Sequence, residues 1–93
     1  MKTIPDHVVH YKSSPVFTDS TVPQALQQGH TTAAGVWGRI TVLEGSLRYR
    51  ITAPSVQAEE HILTPERHGV VEPQIEHEVE VIGPVKFQVD FHR

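Results

Sequence analysis

Seven histidines in 93 residues are the chemically most versatile side chains of this chain. Imidazole is the commonest metal ligand and can act as a general base near neutral pH. Two of the seven stand at the starts of apolar alternating runs: His30 opens HTTAAGVWGRITVLEGSLRYR, and His77 opens HEVEVI. If residues 30–34 are extended, positions 30, 32 and 34 share a face, and His30 projects to the same interior as Ile40 and Val42. By the same alternation His77 faces inward with Val79 and Val81. Two imidazoles converging among Val, Ile and Phe would suit zinc, nickel or iron, with each nitrogen about 2.0–2.1 Å from a zinc. Catalytic zinc normally has three protein ligands. Asp90 is the candidate third, but a one-residue change of register decides whether it points in or out. Glu72 and Glu76 are further candidates. The structural alternative makes both histidines polar residues at strand starts, bonded to backbone or water.

Trp37 and Arg39 share one strand face with Thr41 and Leu43. As a ligand pocket, Trp37 would be a wall and Arg39 an oxyanion clamp through its fixed fork of donors. As structure, Trp37 covers a sheet edge or dimer interface and Arg39 pairs with a carboxylate. His7, His10, His61, His68 and His92 lie near termini or turns and are expected at the surface. The chain has no cysteine, so it has no disulfide, thiolate site or cysteine nucleophile. No serine lies in a nucleophile-elbow context, and no catalytic residue can be named.

The elements that must position these groups alternate with a period of two. Val36, Gly38, Ile40 and Val42 face one way, and Trp37, Arg39, Thr41 and Leu43 the other. Leu47, Tyr49 and Ile51 alternate with Arg48 and Arg50, His77 and Val79 with Glu78 and Glu80, and Phe87, Val89 and Phe91 with Lys86, Gln88 and Asp90. This is the strand signature. Turn signals at Glu44-Gly45, 53–55, 64–67, 72–74 and Gly83-Pro84 bound the runs. Only Gln24–Gln28, after Pro23, reads as a helical turn. Short strands so spaced predict an all-β antiparallel sandwich or small barrel, as a single domain over residues 1–93. Arg48 and Arg50 are expected on a solvated face opposite Glu78 and Glu80.

The formal charge is −3, which argues against a nucleic-acid partner, since such domains usually carry a basic face. No signal-peptide-like run and no apolar run of membrane length occur, so a cytoplasmic protein is expected.

With the elements in place, a resemblance emerges. Pro15-Val16-Phe17, Val22-Pro23, His30-Thr31-Thr32, Gly35-Val36-Trp37-Gly38, Val42-Leu43-Glu44-Gly45, Glu72-Pro73 with His77, and Phe87 to Phe91 together resemble the tellurite-resistance-associated cupin-like domain family. That domain occurs at the N-terminus of TehB-type methyltransferases and alone in YeaR-like proteins. The resemblance runs from about Ile4 to Phe91, and it implies a cupin-like double-stranded β-helix. Measured back from Gly45, the usual cupin Glu ligand falls at Gly38 and the paired histidines near Thr32 and Ala34, none of them ligands here. His77 matches the second-motif histidine. No glycine-rich strand-to-helix loop of a methyltransferase is present, so a role in tellurite resistance would be exercised alone or with a separate partner.

The leading functional expectation is therefore a small cupin-like binder of a metal ion, small molecule or oxyanion in tellurite stress. A metal-dependent cupin enzyme, of oxygenase or isomerase type, is the alternative. A homodimer is compatible with either.

Overall fold

The computed structural model describes residues 1–93. Six strands and one short 3₁₀ turn follow in order: β1 (His10–Ser13), β2 (Phe17–Thr18), the turn (Gln24–Gln27), β3 (Trp37–Ile51), β4 (Glu59–Leu63), β5 (Gly69–Val71) and β6 (His77–His92). All pairings are antiparallel, in the order β1-β6-β3-β4, with β2 also on β6 and β5 also on β3. The all-β antiparallel expectation is met.

The long pair β3–β6 is the frame. It runs from Trp37 opposite His92 to Ile51 opposite His77. On its far edge β3 pairs with β5 through Gly38–Ile40 and with β4 through Leu47–Ile51. The free edge of β6 takes β2 at Lys86 and Phe87 and β1 near its end.

Two expected strand ends are not ends. Glu44-Gly45 lies inside β3, at register shifts between Val42 and Glu44 and between Gly45 and Leu47. Gly83-Pro84 lies inside β6, so the HEVEVI and KFQVDF runs are one strand. The ladder passes from Leu47–Val81 to Gly45–Val85. Ile82, Gly83 and Pro84 therefore stand outside it, and the missing N–H of proline loses no ladder bond. Gly45 has φ +78°, and a Cβ there would lie 2.1 Å from the Pro84 carbonyl oxygen. Only glycine lets the two bent strands approach so closely.

The inward rows predicted from alternation are mostly buried, with Val36, Val81, Val89 and Phe91 half-buried. Tyr49, Phe87, Leu47 and Leu63 are the largest fully enclosed side chains, with Ile40, Val42, Val71, Val79 and Val85 around them. The outward rows of β3, β4 and β6 carry charge. Arg48 bridges Glu60 at 2.8 Å and Glu80 at 2.7 Å, while Arg50 bridges Glu80 at 2.7 Å and Glu78 at 3.2 Å. No helix is long and apolar enough to cross a membrane.

Candidate functional site: a cavity closed by two histidines

His30 and His77 form an antiparallel bridge outside the named ladders. The His30 N–H donates to the His77 carbonyl at 2.7 Å, and the His77 N–H donates back at 2.9 Å. Residues exchanging both bonds project their side chains to the same face. The two rings accordingly meet edge to face, with centroids 5.5 Å apart and planes at 80°. Gly29, at φ +50°, turns the chain into this bridge. The following segment is tied down where the Thr32 hydroxyl donates to the Val36 carbonyl at 2.8 Å and the Gln74 N–H to the Thr32 carbonyl at 3.2 Å.

Both rings line a cavity of about 270 Å³. Its other walls are mainly apolar: Phe17 of β2, Leu26 of the 3₁₀ turn, Ile40 of β3, and Val79, Phe87 and Phe91 of β6. Gly38 leaves the wall open where a side chain would intrude: a Cβ there would come 3.2 Å from Val71 and 3.6 Å from Val89. His77 is 5% exposed. Its Nδ1–H donates to the Ile75 carbonyl at 3.0 Å, which assigns the remaining nitrogen, Nε2, as acceptor in the neutral ring. Burial above all, then the neighbouring His30, pushes the His77 pKa down, against the opposing pull of the Ile75 carbonyl and Glu76. His30 Nδ1 is buried without a hydrogen-bond partner.

The other expected site residues lie elsewhere. Asp90 accepts from Ser13 Oγ at 2.7 Å and from Thr41 Oγ1 at 3.3 Å. Its neighbours Val89 and Phe91 line the cavity, so strand alternation turns Asp90 outward. It is not a third ligand to the histidine pair, and no group of three His, Cys, Asp or Glu side chains able to hold a metal occurs in the chain. The expected zinc, nickel or iron site is thereby corrected: two imidazoles converge, and nothing completes the shell. Trp37 and Arg39 lie on the opposite face of β3 from Gly38 and Ile40. Trp37 is half-buried opposite His92. Arg39 is exposed in a cleft with Lys2, Arg67 and His68, and it has no carboxylate within ion-pair distance. The cavity residues that sequence reasoning passed over are those around Leu26. The Pro23-Gln-Ala-Leu run announced a turn there, but not which wall it would form.

Residues 12–89 match the TehB-like domain. The chain belongs to the TehB-like domain family. Two relatives, from different strains of Haemophilus influenzae and each named probable S-adenosyl-L-methionine-dependent methyltransferase TehB, are 43% and 42% identical to it over 80 residues, 84% of this chain. The aligned part is 28% of each relative, so this TehB-like domain corresponds to less than a third of those proteins. The crystal structure of TehB from Haemophilus influenzae superposes with a TM-score of 0.83 at 37% identity, covering 94% of this chain and 32% of that one. A crystal structure of an Escherichia coli (strain K12) protein superposes with a TM-score of 0.86 over 100% of this chain and 97% of that one. At 24% identity, that match speaks for the fold alone.

These matches correct the functional expectation. The relatives are named as methyltransferases dependent on S-adenosylmethionine, not as metal-binding cupins or as cupin oxygenases or isomerases, and the cofactor in their names is not a transition metal.

Proposed function

We propose that this TehB-like domain, residues 1–93 acting as one unit, is a non-catalytic, small-molecule-receiving partner of S-adenosylmethionine-dependent methyl transfer in the tellurite response. A single observation carries the reading: a mainly apolar cavity of about 270 Å³ with two histidines in its wall, in a chain homologous to less than a third of a methyltransferase. The cavity volume lies near the lower end of ordinary ligand pockets, about 300–1,000 Å³.

The residues present do not fit S-adenosylmethionine itself. Its amino-acid end, sulfonium and ribose call for charged and carboxylate partners, yet no Asp, Glu, Lys or Arg lines the cavity. The fold contains one 3₁₀ turn and no longer helix, so it lacks the strand-to-helix glycine turn that usually cradles such cofactors. We therefore assign cofactor binding to the methyltransferase part of such systems. The architecture we assign is a small cupin-like roll, which the two long bent strands and their paired register shifts support.

Titration calorimetry with S-adenosylmethionine is expected to give no saturable heat, and saturable binding would overturn the non-catalytic reading. Val89→Phe, which fills the cavity from β6, is expected to abolish any protection the chain gives cells against tellurite while leaving the circular dichroism unchanged. Full protection by that variant would remove the cavity from the function.

An oxyanion is favoured at a different place. Arg39 stands without a carboxylate partner in a cleft of about 490 Å³ shared with Lys2 and Arg67, and only Glu66 opposes them there. Tellurite or sulfate binding that is lost in Arg39→Gln would support this second reading, and equal titrations for both proteins would end it.

A further inference from the structure

The histidine pair limits what the cavity can hold, and this deepening rests on the small-molecule reading above. Four polar side chains line the cavity: Ser14, His30, Thr32 and His77. Both hydroxyls are already engaged. Ser14 Oγ donates to the Pro15 carbonyl at 2.8 Å and accepts from the Val89 N–H at 2.9 Å, and Thr32 Oγ1 donates to the Val36 carbonyl. That leaves the two imidazoles.

In the neutral rings each imidazole offers one acceptor nitrogen. For His77 it is Nε2, because Nδ1–H is committed to Ile75. For His30 the Nδ1 is buried without a partner and has almost no accessible surface, so the ring nitrogen left to meet a ligand is Nε2, an acceptor when the proton sits on Nδ1. The cavity thus presents unfilled hydrogen-bonding capacity at one end and an apolar surface everywhere else. It has no lysine or arginine to hold an anion and no carboxylate to hold a cation. A charge buried without a partner would be strongly disfavoured.

We propose that the His30–His77 pair receives the proton-bearing head of an uncharged small molecule, whose apolar body packs between Phe17, Leu26, Phe87 and Phe91. The ligand class is a protic, un-ionised compound with a weakly acidic O–H, or a heavier chalcogen–hydrogen bond, on a compact apolar body. A free oxyanion does not belong to this class.

Three probes of similar size separate the possibilities: phenol, toluene and benzoate, titrated into the whole chain at pH 7.5 and followed by histidine ring nitrogen shifts in NMR. Phenol is expected to bind about tenfold tighter than toluene, the ratio that one additional hydrogen bond supplies, and benzoate is expected not to bind. His30→Leu is expected to bring the phenol-to-toluene ratio close to one. His30→Gln, which keeps an acceptor, is expected to restore part of it. Equal affinity for phenol and toluene in the natural chain overturns the inference while leaving the cavity as a small-molecule site. Preferential binding of benzoate also overturns it. If none of the three binds, the small-molecule reading itself falls with it.

Discussion

His77 has a side chain 5% exposed, and the groups that act on it are few. Burial and His30 lower its pKa, and the Ile75 carbonyl and Glu76 partly oppose them. With the folded value below the ordinary 6.5, the neutral ring contributes its full stability above that pH. As pH falls further, the unfolded chain takes up the proton first, and stability declines until the folded ring protonates too. The urea midpoint is therefore expected to fall between pH 7.5 and 5.5, and His77→Gln is expected to flatten much of that slope. Glu59 and Glu80 are held below the usual carboxylate range, Glu59 by its hydrogen bond to the N-terminal amine and Glu80 by its hydrogen bond to Arg48, so they titrate below this window. A slope unchanged in the variant would place the proton uptake elsewhere. Glycines sort just as sharply at this scale. Gly45→Ala meets both a left-handed backbone and the Pro84 oxygen, and is expected to cost at least about 2 kcal/mol in chemical denaturation. Gly83→Ala meets nothing within 4 Å and is expected to stay within about 0.5 kcal/mol of the parent.

Among the elements, β3 and β6 do most of the positioning. One face of the pair lines the core and cavity, and the other carries Arg48 and Arg50 between Glu60, Glu78 and Glu80 across three strands. These ion pairs are partly exposed, so their worth depends on ionic strength. Arg50→Gln is expected to lower the thermal midpoint at low salt, with the difference shrinking towards zero in 1 M NaCl. A difference that persists unchanged at high salt would mean that packing of the arginine stem, not charge, is what β3 loses. That Arg48 and Arg50 share one outward face, and Glu78 and Glu80 another, was legible from alternation alone. The continuity of the two strands was not. Glu-Gly and Gly-Pro are strong turn signals in isolation, and only their opposition across the ladder converts two apparent ends into one shared bend.

For the molecule as a whole, a chain of this size has a small margin. A domain of 93 residues is held by roughly 5–15 kcal/mol, and its core centres on Tyr49, Phe87, Leu47 and Leu63. Phe87 is fully buried, stacks obliquely on Phe17 with centroids 5.5 Å apart, and also forms a cavity wall. Phe87→Ala is expected to cost about 3–5 kcal/mol, leaving a chain that unfolds at low urea. A loss below about 1 kcal/mol would show that the cavity and its neighbours collapse to fill the gap. Tyr49→Phe is gentler. It strips the hydroxyl that donates to the Val70 carbonyl at 2.8 Å, and is expected to cost about 1–2 kcal/mol by leaving that buried acceptor unmet.

The all-β class, the inward row of each long strand, and the family were determined by the sequence itself, because a period of two and a set of spaced motifs are local properties that survive without coordinates. That His30 and His77 both turn inward was also within its reach through parity. What only the tertiary structure decided was everything set by register and by distant contacts. Asp90 bonds to Ser13 and Thr41, Arg39 is left without a carboxylate partner beside Lys2 and Arg67, and the short turn at Leu26 closes a wall. A side chain's partner depends on which strand lies opposite and by how many residues it is shifted, and that is fixed by packing the whole sheet rather than by any segment of it.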